Sequence, residues 1–211
     1  MEQGWDFARW RDALREAGPR RAALVGLAAA ERASGCLTDG RAARFDGEGP
    51  VLVRALLDAC WDGADPALVL GACESLADWA TRYTESSLTE LFRAWAAEEA
   101  DDEDDTGPPE LAEFLDEVEP AGAIALHLTA AMAAAQAGPP CAGGAWDGAL
   151  RCLQSLSDLP GEAARQHADL AAVLAADEGA LPAAARELRK RAAADAPVYR
   201  EHCEALDLDA D

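Results

Sequence analysis

The sequence predicts an all-α protein: a single helical, bundle-like domain spanning residues 1–211, with about eight to ten helices. Three observations carry that expectation. Half of the residues are apolar, and most of these are Ala and Leu, with a single Ile at Ile124 and few Val, Tyr and Phe. Helices favour Ala, Leu, Arg and Glu, whereas strands favour β-branched and aromatic residues. Apolar positions recur every three or four residues, and Gly-Pro pairs separate the periodic stretches.

The elements follow in order. Residues 4–17 place Trp10, Leu14 and Ala17 on one stripe, and Gly18-Pro19 ends it. Residues 20–34 form a second helix with Leu24, Leu27 and Ala28 facing in, and the four glycines between Gly35 and Gly49 mark a loop. Pro50 to Trp61 is strongly amphipathic, with Val53, Leu56, Leu57, Cys60 and Trp61 on its face. Asp65-Pro66 reads as an N-cap followed by Pro at the first helical position, opening a helix to Tyr83 with Leu68, Ala72, Leu76 and Trp79 as its stripe. Ser87 and Glu90 form a capping box for a helix ending near Glu98.

Beyond it lies an acidic loop at 98–109, ending in Gly107-Pro108-Pro109, which would join two helical lobes. Glu110 to Val118 and Pro120 to Gln136 are the next helices, the second lined with Ala, and Gly138-Pro139-Pro140 stops it. Trp146 to Leu156, Gly161 to Ala176, Leu181 to Ala194 and Val198 to Leu206 complete the set. Among the six tryptophans, Trp61, Trp79 and Trp95 fit helical stripes as core anchors. Trp5, Trp10 and Trp146 fall near element ends, where partial exposure is expected.

Net charge is −22, and it is unevenly spread. The segment from Glu98 to Glu119 holds twelve acids and no base. Glu98, Glu99, Asp101, Asp102, Glu103, Asp104 and Asp105 crowd into eight residues, so mutual repulsion favours an extended, solvated run. Such a balance argues against nucleic acid, which needs Lys and Arg to displace counterions, and against anionic membrane surfaces. It favours a basic protein partner. The start, MEQGWDFARWRD, has no basic region leading into an apolar stretch, so the expectation is a soluble, cytoplasmic, bacterial-type protein.

Little in the chain promises reaction chemistry. The six cysteines form no CxxC pair, and Cys60, Cys73 and Cys152 lie among apolar residues as small buried hydrophobes. His127, His167 and His202 lack Glu-x-x-His or His-x-x-x-His spacing, so no metal and no cofactor is expected. There is no Gly-x-Ser-x-Gly elbow, P-loop or dinucleotide fingerprint, so no catalytic residue is assigned. Arg54 and Asp58 stand four apart on one helical face and can pair, and Glu31 can reach Arg54 if the two helices pack. Glu31, Arg32, Arg54, Asp58 and Trp61 thus form one candidate network, structural or ligand-binding.

Two pieces of sequence also carry a resemblance. LAAAERASG (27–35) is followed, after the loop, by GPVLVRALLDACWDG (49–63). Glu31-Arg32 with the later Leu52, Arg54, Ala55, Leu56, Asp58 and Trp61 resembles the YjaG-like proteins, a domain-of-unknown-function family. The stretches AGAIALHLTAAMAA and ARQHADLAAVLA resemble its later helices. The resemblance implies an all-helical fold over most of the chain and brings no activity with it. The acidic insert and Gly122 depart from the family pattern.

The function expected from these features is a non-enzymatic acidic binding protein, of inhibitor or immunity type, that engages a basic partner. An enzyme or small-molecule binder with a site near Glu31, Arg54 and Asp58 is the first alternative. A homodimeric assembly protein using exposed Trp and Leu is the second.

Overall fold

A computed structural model describes residues 6–37, 48–82 and 142–208, apart from positions 66, 70, 73, 77, 80, 158 and 160. All regular structure among the described residues is helical. We label the α-helices α1 (Phe7–Glu16), α2 (Pro19–Ala33), α3 (Glu48–Asp62), α4 (Ala142–Leu156), α5 (Glu162–Ala175) and α6 (Leu181–Leu208). A 3-10 turn, Ser34–Leu37, extends α2. Backbone between 67 and 82 is helical at its described positions. The helices expected at 87–98, 110–118 and 120–136, and the acidic run Glu98–Asp105, lie outside the described residues.

Helix α2 is the centre of the assembly. Ten of its fifteen residues are buried, which is what a helix apolar nearly all round requires. Its small residues, Ala22, Ala28, Ala29, Ala30 and Ala33, let neighbouring helices approach closely. Helix α6 packs along it most extensively, with α5, α4, α3 and α1 completing the surround. The core between them includes Leu14, Val25, Leu37, Leu56, Leu57, Leu153, Val173 and Leu188.

Local chemistry sets the boundaries. The Asp6 carboxylate accepts from the backbone N–H of Arg9 at 3.1 Å and starts α1. Gly18, at φ +86°, makes the turn into α2 that a side chain would resist. Asp65 accepts from the N–H of Ala67 at 2.8 Å, the N-cap the Asp-Pro pair predicts. At the far end of α5, Arg21 donates to the carbonyls of Val173 and Ala176, each at 3.0 Å. A cation there satisfies orphan carbonyls and complements the helix dipole.

Several expectations need correction. The two last helices are one, 28 residues long, running through Pro197. Packing of the Ser34–Leu37 turn and α2 against this stretch overrides a proline that would break an isolated helix. Gly35, Cys36 and Leu37, expected in a loop from Gly35 to Gly49, are buried in the 3-10 turn, and α3 starts at Glu48, before Pro50. Trp10 is a core residue, 1% exposed, since α1 lays its Trp10 and Leu14 face inward. In the 67–82 segment Val69 is buried and Leu68 is exposed, shifting the start of the inner stripe by one residue. Trp79 is fully buried, and Cys60 lies in the core as expected.

Candidate functional site

Two charged networks flank α2, and the five residues grouped by their sequence pattern divide between them. Arg32 and Glu31 are neighbours on a helix and point to different sides.

Arg32 leads the inner network. Its Nε and Nη2 form a fork on the Glu162 carboxylate at 2.9 and 2.8 Å, and its Nη1 reaches Asp169 at 2.7 Å. Asp169 also accepts from Arg191 at 2.7 Å, and the Tyr199 hydroxyl donates to Glu162. Arg32, Glu162 and Asp169 are each 1% exposed or less. Two guanidiniums face two carboxylates, so the network is neutral as a unit, and its ions are partnered in geometry suited to a buried site. Burial alone would lower the pKa of Arg32, but Glu162 and then Asp169 more than offset it and hold the guanidinium above its ordinary value.

The outer network holds the other four residues. Glu31 is buried, and its carboxylate accepts a two-pronged contact from Arg54, one arm at 3.0 Å, and a hydrogen bond from the Trp61 indole N–H at 3.0 Å. Arg54 reaches Asp58 at 2.7 Å, the pairing its four-residue spacing allows. Asp58 in turn accepts from Arg189 of α6, which also meets Asp62 at 3.3 Å. The hydrogen bonds that Arg54 donates to Glu31, ahead of the carboxylate's charge, raise the pKa of Arg54 against the opposing effect of burial.

Trp61 and Arg189 form part of the wall of a cleft of about 660 Å³ between the starts of α2 and α6 and the end of α3. Glu31, Arg54 and Asp58 do not line it. They stand behind it and fix two side chains that do.

Sequence reasoning missed Glu162, Asp169, Arg191 and Tyr199. A signal was present: Glu162, Gln166, Asp169 and Val173 recur at four, three and four residues and share the buried face of α5. Gln166 belongs to the same face; its side-chain amide N–H donates to the backbone carbonyl of Leu153 at 3.0 Å, and its backbone carbonyl accepts from the Trp10 indole N–H at 3.4 Å. Among the described residues no group of His, Cys, Asp and Glu is arranged to hold a metal ion, and no helix is long and apolar enough to cross a membrane. The thiol of Cys152 is pushed up by burial, with Arg151 opposing.

Tyr199 gives the inner network a pH signature. Burial first, and the adjacent Glu162 carboxylate second, push its phenol far above the usual value. In the unfolded chain the phenol ionises near pH ~10, while the folded protein keeps the proton. The folded pKa is the raised one, so this stability is fully present below about pH 10 and is lost as pH climbs above it. Denaturant unfolding between about pH 9 and 11 is expected to show the wild type losing roughly 1.4 kcal/mol per pH unit more than Tyr199→Phe above pH ~10. Identical slopes in the two proteins would rule out a buried, protonated Tyr199.

No family model, curated protein or solved structure matches the chain.

Proposed function

We propose that this is a non-enzymatic binding protein that engages a basic protein partner through its acidic surface, in the manner of an inhibitor or immunity protein. The observation that carries the reading is charge segregation. Twelve acids without a base fill Glu98–Glu119, more than half of the net −22 in about a tenth of the chain. The buried ions of the helical part are, by contrast, taken up in ion pairs with one another. The excess potential is therefore what the chain offers a partner. Such a field raises association rates by about 10–1000-fold at low salt.

Kinship with the YjaG-like proteins is part of the same proposal. Its support is that Glu31, Arg54, Asp58 and Trp61, which carry the resemblance, meet in one hydrogen-bonded network.

The test uses the basic proteins encoded beside this gene, purified and titrated against the chain. One of them is expected to bind, with affinity falling about tenfold or more between roughly 50 and 300 mM salt. Replacing the seven acids from Glu98 to Asp105 by Gln and Asn should slow association about tenfold without changing the melting temperature. Failure of every such protein to bind, or binding indifferent to both salt and these substitutions, removes the proposal.

A further inference from the structure

The cleft beside the outer network has a character opposite to that of the chain as a whole. Its base is apolar, with Leu27 and Leu181 almost fully buried and Leu24 beside them. Trp61 closes one side, and its ring is oriented because its indole N–H donates to Glu31 at 3.0 Å. Three guanidiniums line the same space, Arg20 from α2 and Arg186 and Arg189 from α6, in a chain with 18 basic residues against 40 acidic ones.

These three cations are not equivalent. Arg189 is committed, since it holds Asp58 and Asp62. That pairing also cancels Asp62, the acidic residue of the lining. Arg20 meets Glu178 at 3.7 Å, with both side chains 67% exposed. Such a pair contributes about 0–1 kcal/mol and exchanges readily for another anion. Arg186 has no carboxylate within ion-pair distance among the described residues. An apolar base with a few placed polar groups, in a volume of about 660 Å³, is the make-up of a small-molecule site.

We propose that this cleft binds a small organic anion: a carboxylate, sulfonate or phosphate head on a flat apolar body. The body lies on Leu24 and Leu27 against Trp61, and the head is taken by Arg186 and Arg20. The outer network is then a positioning device, because Glu31 sets the Trp61 ring and Asp58 takes up the Arg189 guanidinium. This inference is independent of the acidic run and of any protein partner.

The test compares two fluorescent probes on the full chain. Anilinonaphthalene sulfonate has the anionic head and apolar body; N-phenyl-1-naphthylamine has the body alone. The sulfonate is expected to bind one per chain, saturating below about 1 mM. Ala185→Phe, which fills the cleft, should weaken both probes about tenfold or more. Arg186→Glu should weaken the sulfonate about tenfold and leave the neutral probe within about twofold, with Arg20→Glu acting in the same direction. Circular dichroism identifies any variant that fails to fold; if Ala185→Phe fails, the two exposed arginine variants decide the question. The proposal is overturned by sulfonate binding that does not saturate, by binding that ignores a folded Ala185→Phe, or by a sulfonate-to-neutral ratio unchanged in both arginine variants.

Discussion

Arg32→Met is expected to lower the free energy of unfolding by about 3–5 kcal/mol, which is a large part of the roughly 5–15 kcal/mol a domain possesses. Methionine fills much of the volume, so the loss is electrostatic and not a cavity effect. Asp169 would keep Arg191, but Glu162 would keep only the Tyr199 hydroxyl against a full buried charge. Removing one partner of a buried pair leaves the other uncompensated, and that desolvation is the source of the cost. The carboxylate is the culprit in this account, so adding Glu162→Gln to Arg32→Met should restore about 1–3 kcal/mol. Arg32→Lys should fall between wild type and Arg32→Met, since an ammonium cannot form the two-pronged contact with Glu162. Urea denaturation followed by circular dichroism measures all three. A loss under about 1 kcal/mol for Arg32→Met would mean that Glu162 and Asp169 are not sealed from water.

The fold class was legible because it depends on composition and on short-range periodicity. Ala and Leu at three- and four-residue spacing are enough to announce helices, and the Gly18-Pro19 break is local chemistry. The pairing of Arg54 with Asp58 was legible for the same reason, being one turn apart on one helix. What escaped was whatever the tertiary arrangement decides. Glu162 and Asp169 lie 130 and 137 residues from Arg32, and no periodicity relates those separations. Charged residues on an inner helical face are hard to tell from solvated ones until the opposing face is known, since burial becomes tolerable only with a partner in place. Pro197 misled in a parallel way. A proline ends an isolated helix, but in α6 the surrounding contacts carry the chain through. Trp10 was expected to be partly exposed because it stands near the start of its helix; α1 begins at Phe7, yet Trp10 shares the inward face with Leu14, and what covers that face comes from elements distant in sequence.

Gly35→Ala and Gly71→Ala, the same chemical change at two helical glycines, are expected to move stability in opposite directions. At Gly71 an added Cβ meets nothing within 4 Å. The gain is then that of helix propensity and reduced unfolded-state freedom, about 0.4–1 kcal/mol. At Gly35 the φ angle is not in the left-handed region, so backbone conformation would permit alanine equally well. The obstacle is space. A Cβ there would lie 2.9 Å from the carbonyl carbon of Ala196, and nearer still to its oxygen. The obstructing atoms are backbone, so no rotamer change relieves the clash, and either the 3-10 turn or α6 must move. Arg32 precedes Gly35 by three residues and Tyr199 follows Ala196 by three, and both converge on Glu162. Separating the two segments would therefore loosen the inner network as well. The expected loss is about 3 kcal/mol, the upper end of the range for overpacking. It should be less than additive with Tyr199→Phe by about 1 kcal/mol, because one displacement disrupts both contacts. Stabilisation of both glycine variants by similar amounts would mean that α6 does not press on the turn at Ala196, and that Tyr199 reaches Glu162 by some other packing.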